Sequence, residues 1–219
     1  MRRPKVAICI LIFGTMLSTA LAQSTFIDKD CNATGLSLGY LFIDINQEYG
    51  KVLHGFGGSF STSYHGLLDL GGQLAYARLD STENMVFAPQ IGFYPFRISA
   101  SSLQFIPGIY TDMEISSSPL IWTIGVSGSI DLKISGSLSL QPAFVITRQT
   151  MPRYTQFNWV AYSYGIAFAF HGSPGTTYII SSSLAVNEYT TDAAIGISII
   201  FGHNINRNRI PDPWSKYNP

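Results

Sequence analysis

Four histidines and two cysteines are the side chains of this sequence best suited to bond-breaking or metal chemistry. A hydrolase needs an imidazole within hydrogen-bond reach of a nucleophile. His65 and His171 fall at turns between alternating runs, His203 lies just past the last run, and His54 has an outward parity near a rim. None is spaced from a Ser or Asp in a recognisable catalytic pattern. The chain therefore reads as non-enzymatic, with no metal or cofactor implied. Gly55, Gly57 and Gly58 lie within a strand pattern. There Gly marks a bend or close packing, not a phosphate loop.

Two other groups of residues carry more promise. Asp69, Asp112, Glu114, Asp131 and Lys133 share a parity with the small residues of their runs, which places them inside a closed sheet. Buried charges must pair. These five form either a selectivity ring or salt bridges that plug the lumen. The second role fits a narrow barrel better. Asp69, Asp131 and Lys133 fall towards one end of the strands, and Asp112 and Glu114 towards the other. The remaining group is Arg148, Arg153, Tyr154, Phe157 and Trp159. It mixes cationic and aromatic side chains as binding hot spots do, and forms the richest candidate surface for recognition.

The chain that must position these residues has 219 of them. Charged residues make up 12 %, about half the roughly 25 % of a soluble domain. Hydrophobic residues make up 46 %, with 20 Gly and 25 Ser. This is too apolar for disorder and lacks the Ala, Leu, Glu and Lys bias of a helical bundle. A formal net charge of zero argues against a basic nucleic-acid binder. Arg2, Arg3 and Lys5 precede an apolar stretch from Val6 to Leu17, and Ala20-Leu21-Ala22 follows. That is the layout of a signal peptide spanning residues 1–22, with cleavage before Gln23. The stretch is shorter than the roughly 20 residues of a spanning helix. Removing it takes Cys9 and leaves Cys31 alone, so no internal disulfide forms. Asn32-Ala33-Thr34 matches a glycosylation triplet, a pattern common by chance.

The rest of the chain alternates with period two. From Leu120 to Ile134 the even positions are bulky and apolar except for Gly128, while Thr123, Gly125, Ser127, Ser129, Asp131 and Lys133 fill the odd ones. Similar runs give about ten strands, at 35–46, 52–64, 67–79, 86–96, 103–114, 120–133, 137–147, 158–170, 177–186 and 192–201. The first is the least regular, since Leu41, Ile43 and Ile45 sit on its supposed polar face. Most runs have the length of membrane-crossing strands, about 9–11 residues or more. In a soluble sandwich the outward face would carry charge. Here it would be Ser, Gly, Ala and Thr, so the small face fits a crowded lumen and the bulky face fits lipid. Lipid leaves no backbone group unbonded, so the sheet must close. Tight and longer connections alternate, which puts both termini and the tight turns on one side. Tyr64, Phe96, Phe170, Tyr178 and Phe201 would form one aromatic girdle, and Phe42, Tyr76, Phe87, Trp122 and Trp159 the other.

On this pattern the segment 35–202 resembles the small outer-membrane β-barrels of Gram-negative bacteria, the OmpA/OmpX-like group. The most specific element is the last run. Gly196, Ile199 and Phe201 resemble the terminal signal read by the barrel-assembly machinery, although Ala194 replaces the usual polar residue and a tail follows. The resemblance implies an all-β, closed antiparallel up-and-down transmembrane barrel of about ten strands, with eight as the other count. It also implies a periplasmic segment at 23–34 and a polar periplasmic tail at 203–219. The expected role is structural or surface-interacting, with the Arg148–Trp159 group meeting lipopolysaccharide phosphates or an extracellular ligand. A narrow pore for small solutes is the rival role. A secreted lipocalin-type barrel, with bulky residues lining a cavity, is a third reading.

Overall fold

The computed structural model describes residues 31–45, 51–79, 82–95, 97–100, 103–116, 120–152, 158–172, 175–187 and 190–204. The leader, most of the 23–34 segment and the tail beyond Asn204 lie outside them. The described residues form β1 (Cys31–Ile45), β2 (Lys51–Tyr64), β3 (Leu68–Leu79), β4 (Thr82–Phe93), β5 (Ile98–Ala100) and β6 (Leu103–Ser116). They continue as β7 (Ile121–Ser135), β8 (Leu138–Thr150), β9 (Asn158–His171), β10 (Thr176–Val186) and β11 (Thr190–Asn204).

Every pairing is antiparallel, and neighbours in sequence are neighbours in the sheet except β4 and β5, which do not pair with each other. The seam closes where β1 meets β11, from Cys31↔Asn204 to Ile45↔Thr190. β4 and β5 share one place in the wall, since both pair with β6. The barrel thus has ten strand positions, one of them broken. Tyr94-Pro95-Phe96-Arg97 makes the break. Proline has no N–H to give the ladder, and the Tyr94 amide turns to the carbonyl of Leu67 at 2.8 Å. β1 begins at Cys31 and β11 runs to Asn204. The barrel therefore starts earlier than residue 35 and extends slightly past 202, because the two end strands complete each other's hydrogen bonds.

The alternation decides which face is which. Bulky residues point out: Leu38, Phe56, Leu74, Val126, Tyr164 and Ile197 are all half or more exposed. Small and polar residues point in and are buried, among them Ser61, Gln73, Thr123, Ser139, Ser163 and Ser198. This overturns the lipocalin reading, in which the bulky face would line the interior. The exterior is a continuous apolar surface of the kind lipid covers. Leu41 is an exception of the first strand, pointing inward and fully buried.

The Tyr64–Leu68 and Ser135–Leu138 turns lie at the end that holds Cys31 and Asn204, the terminal end, but tightness is not confined to it: the distal connections Leu79–Thr82 and Val186–Thr190 are as short. His65 and Gly66 both take positive φ, 54° and 60°, and the Leu67 amide donates to the Tyr64 carbonyl at 3.0 Å. Two left-handed residues make the hairpin turn whose twist matches its strands. Tyr64, Phe93, Phe170, Tyr178 and Phe201 are exposed at this end, and Phe42, Phe87 and Trp122 at the distal end. Trp159 does not join the distal girdle, because its odd parity on β9 turns it inward, where it is buried. Phe96 lies outside the described residues.

Val126 is half exposed on the outer wall, and Ser127 is its inward neighbour. Val126→Arg is expected to cost roughly 2–4 kcal/mol of stability in lipid. Ser127→Arg should instead act by crowding the lumen. Urea titration in lipid vesicles measures the first, and cysteine labelling at position 127 should find no lipid contact.

Candidate functional site in the barrel lumen

The lumen is built in layers by residues of inward parity. At the distal end β6 contributes Tyr110, Asp112 and Glu114, each 2 % exposed. Pairing sets Gln90 of β4 and Thr123 of β7 opposite Asp112. Gln73 of β3 donates to Gln90 at 2.9 Å. Gln149 of β8 faces Thr123 and accepts from the Trp159 indole. Ile121, Met151 and Trp159 form an apolar patch beside it. On β11, Asp192 is 1 % exposed, with the Thr190 hydroxyl beside it.

Two tyrosines fill the middle. The Tyr94 ring lies against Gly108, where a Cβ would come within 2.5 Å of it. The Tyr110 ring lies over Gly125, where a Cβ would meet it at 2.3 Å. Only glycine admits these rings, so the small residues of β6 and β7 act as seats for the aromatics beside them.

At the terminal end Arg97 reaches Gln104 Oε1 at 3.4 Å and the Gly66 carbonyl at 3.2 Å. Asp69, Asp131 and Lys133 lie in this half and are engaged by neighbouring groups. Ser139 Oγ is 3.1 Å from His171 Nε2, and His171 Nδ1 is 3.1 Å from Thr177 Oγ1. A serine, an imidazole and a third group in line resemble a nucleophile and its base. Ser139 is 1 % exposed, and the contact ties β8, β9 and β10 together.

The expected lumen charges are therefore all inside, in two groups. The salt-bridge role fails for Asp112 and Glu114: neither forms an ion pair among the described residues. Arg97 and Asp192 were not anticipated. Arg97 follows a break that no alternation shows, whereas the parity of Asp192, opposite to Ile195 and Ile197, already placed it inward.

Of the recognition group, the described residues Arg148 and Trp159 both line one distal groove. Arg148 is exposed on the outer wall and donates from Nε to Asn158 Oδ1 at 3.0 Å. It borders this groove, of about 640 Å³, with Tyr162, Val186 and Asn187. Trp159 is largely buried, its indole turned to Gln149, and reaches the groove only at its edge. Arg153, Tyr154 and Phe157 lie outside the described residues. His54 is outward as expected, and its Nδ1 lies 3.1 Å from the Tyr40 hydroxyl. In the last strand Gly196 is buried, while Ile199 and Phe201 face out. Among the described residues no three His, Cys, Asp or Glu side chains converge as a metal site.

No protein-family model and no curated protein matches this chain. Solved structures do. The β domain of the Bordetella autotransporter BrkA aligns with a TM-score of 0.52 at 8 % identity, over 80 % of this chain and all of that one. The translocator domain of the autotransporter NalP from Neisseria meningitidis aligns at 0.50 and 10 % identity, over 85 % of this chain and 94 % of that one. At such identities the likeness is one of fold. The chain has the fold of an outer-membrane β-barrel protein.

The glycine seats are testable. Gly125→Ala should force the Tyr110 ring off the wall and lower stability by about 1–3 kcal/mol. In the Tyr110→Ala background the same substitution should cost much less, as contacting residues couple. Equal costs in both backgrounds, measured by urea unfolding in micelles, would rule out the contact as the cause.

Proposed function

We propose that the protein is an integral protein of the outer membrane, non-enzymatic, with a structural or surface-interaction role and a lumen that does not conduct. The observation that carries this is the burial of the inward residues along the whole lumen, from Asp69 and Ser139 at the terminal end through Tyr94 and Tyr110 to Glu114 at the distal end. A water-filled channel leaves such residues wetted, as in wide porins. The longest gap between consecutive strands, 151–157 between β8 and β9, lies at the distal end, which supports placing that end outside the cell.

Two partners belong to this reading. The exposed Arg148 guanidinium, beside Tyr162 at the distal rim, suits a lipopolysaccharide phosphate, since Arg binds phosphate in a forked geometry. Gly196, Ile199 and Phe201 suit the barrel-assembly machinery, because β11 is the last strand made and forms the seam with β1. A narrow pore is the second reading. It is favoured by the acid pair Asp112 and Glu114, which would select cations.

Planar-bilayer recording on the purified protein separates the two. The expected trace shows no unitary openings in symmetric salt. Stable openings with cation selectivity that is lost in Asp112→Asn/Glu114→Gln would overturn the closed reading in favour of the pore.

A further inference from the structure

The distal acid pair is not explained by a closed, structural barrel. Asp112 and Glu114 project inward two residues apart on β6 and are almost fully buried. Neither oxygen of the Asp112 carboxylate has a hydrogen-bond donor among the described residues, and Glu114 Oε1 has none. A pair of carboxylates held in a low dielectric without a counter-charge is strongly unfavourable.

The neighbours supply a second, separate observation. Thr123 is 0 % exposed and faces Asp112 from β7. The Tyr110 hydroxyl is within electrostatic reach of both carboxylates. Its ring lies over Gly125, whose pairing partner on β8 is Thr147. Oγ1 of Thr123, the hydroxyl of Tyr110 and Oγ1 of Thr147 are all buried without a hydrogen-bond partner by distance and angle. Two buried hydroxyl oxygens, of Thr123 on β7 and Tyr110 on β6, therefore lie on the carboxylate side of the lumen without a partner.

The donor set is oxygen alone. Hard divalent cations take such ligands, and thiolate or imidazole sites do not resemble it. Two carboxylates balance a charge of +2. Side chains fixed on pleated strands cannot easily form a regular octahedron, which Mg²⁺ demands and Ca²⁺ does not. We propose that Asp112 and Glu114, with the Thr123 and Tyr110 hydroxyls, form a calcium site in the distal lumen, with water completing the coordination. Bound there, the ion neutralises the acid layer and ties β6 to β7.

The test uses the mature protein folded in an uncharged maltoside detergent, titrated with CaCl₂ by calorimetry and followed by thermal unfolding. Wild type should bind one Ca²⁺ saturably and unfold at a higher temperature with it. Asp112→Asn/Glu114→Gln should lose both effects. Thr123→Ala, which keeps both carboxylates and serves if the double variant does not fold, should weaken binding. Asp192→Asn, on β11 and not among the proposed ligands, should still bind one Ca²⁺ saturably. No saturable binding by wild type, or binding unchanged in both site variants, overturns the site. Equal affinity for Mg²⁺ overturns the choice of ion.

Discussion

The structure depends on one constraint: a strand in lipid has no water to satisfy its backbone. Ten strand positions can meet it only if the first and last pair with each other. The fifteen-residue register between β1 and β11 is therefore a condition for the other pairings to survive in a bilayer. It also explains why the end strands outrun their alternating cores. Cys31 to Thr34 have no alternation worth noting, yet they lie opposite Phe201 to Asn204, and each supplies the other's ladder. The break at Tyr94–Arg97 is tolerated because β5 resumes against β6 at once, and the freed Tyr94 amide finds the Leu67 carbonyl.

Closure turns a two-residue period into two environments, and the side chains sort by size as much as by polarity. The inner wall converges, so its residues must be small or share space in pairs. Tyr94 with Gly108 and Tyr110 with Gly125 are such pairs: a large ring on one strand takes the volume that its neighbour gives up. Removing a glycine and removing a tyrosine are then opposite errors of the same packing, one overfilling the lumen and the other opening it.

Much of this was legible in the sequence because period two is strict. In β7 the burial alternates from Ile121 to Val126 as the residue types do, and the inward parity of Asp112, Glu114 and Asp131 follows from it. What stayed hidden has physical causes. Tyr94 and Arg97 enter the lumen from an irregular segment, and irregular segments carry no parity. Trp159 was read by its size and rim position, both of which suit a girdle. Its parity was the better guide, because the backbone pleat, not hydrophobicity, sets which face a side chain takes. The ion pairing of the five charges was not legible either, since which strands face each other across a lumen depends on strand count and stagger.

The two charge groups are not equivalent, and their difference gives the barrel an axis. The terminal half mixes signs, with Asp69 and Asp131 near Lys133 and Arg97. The described inward charges of the distal half, Asp112, Glu114 and Asp192, are all acidic. In a narrow lumen whose wall is backed by lipid, fields are weakly screened and focus along the axis. A cation arriving from the distal side meets an attractive potential, and an anion meets a repulsive one. The buried rings of Tyr94 and Tyr110 lie on the terminal side of these carboxylates. On the proposed reading, such a barrel holds a cation among its distal carboxylates while the aromatic rings fill the lumen beside them, so an acidic end and a filled lumen are compatible.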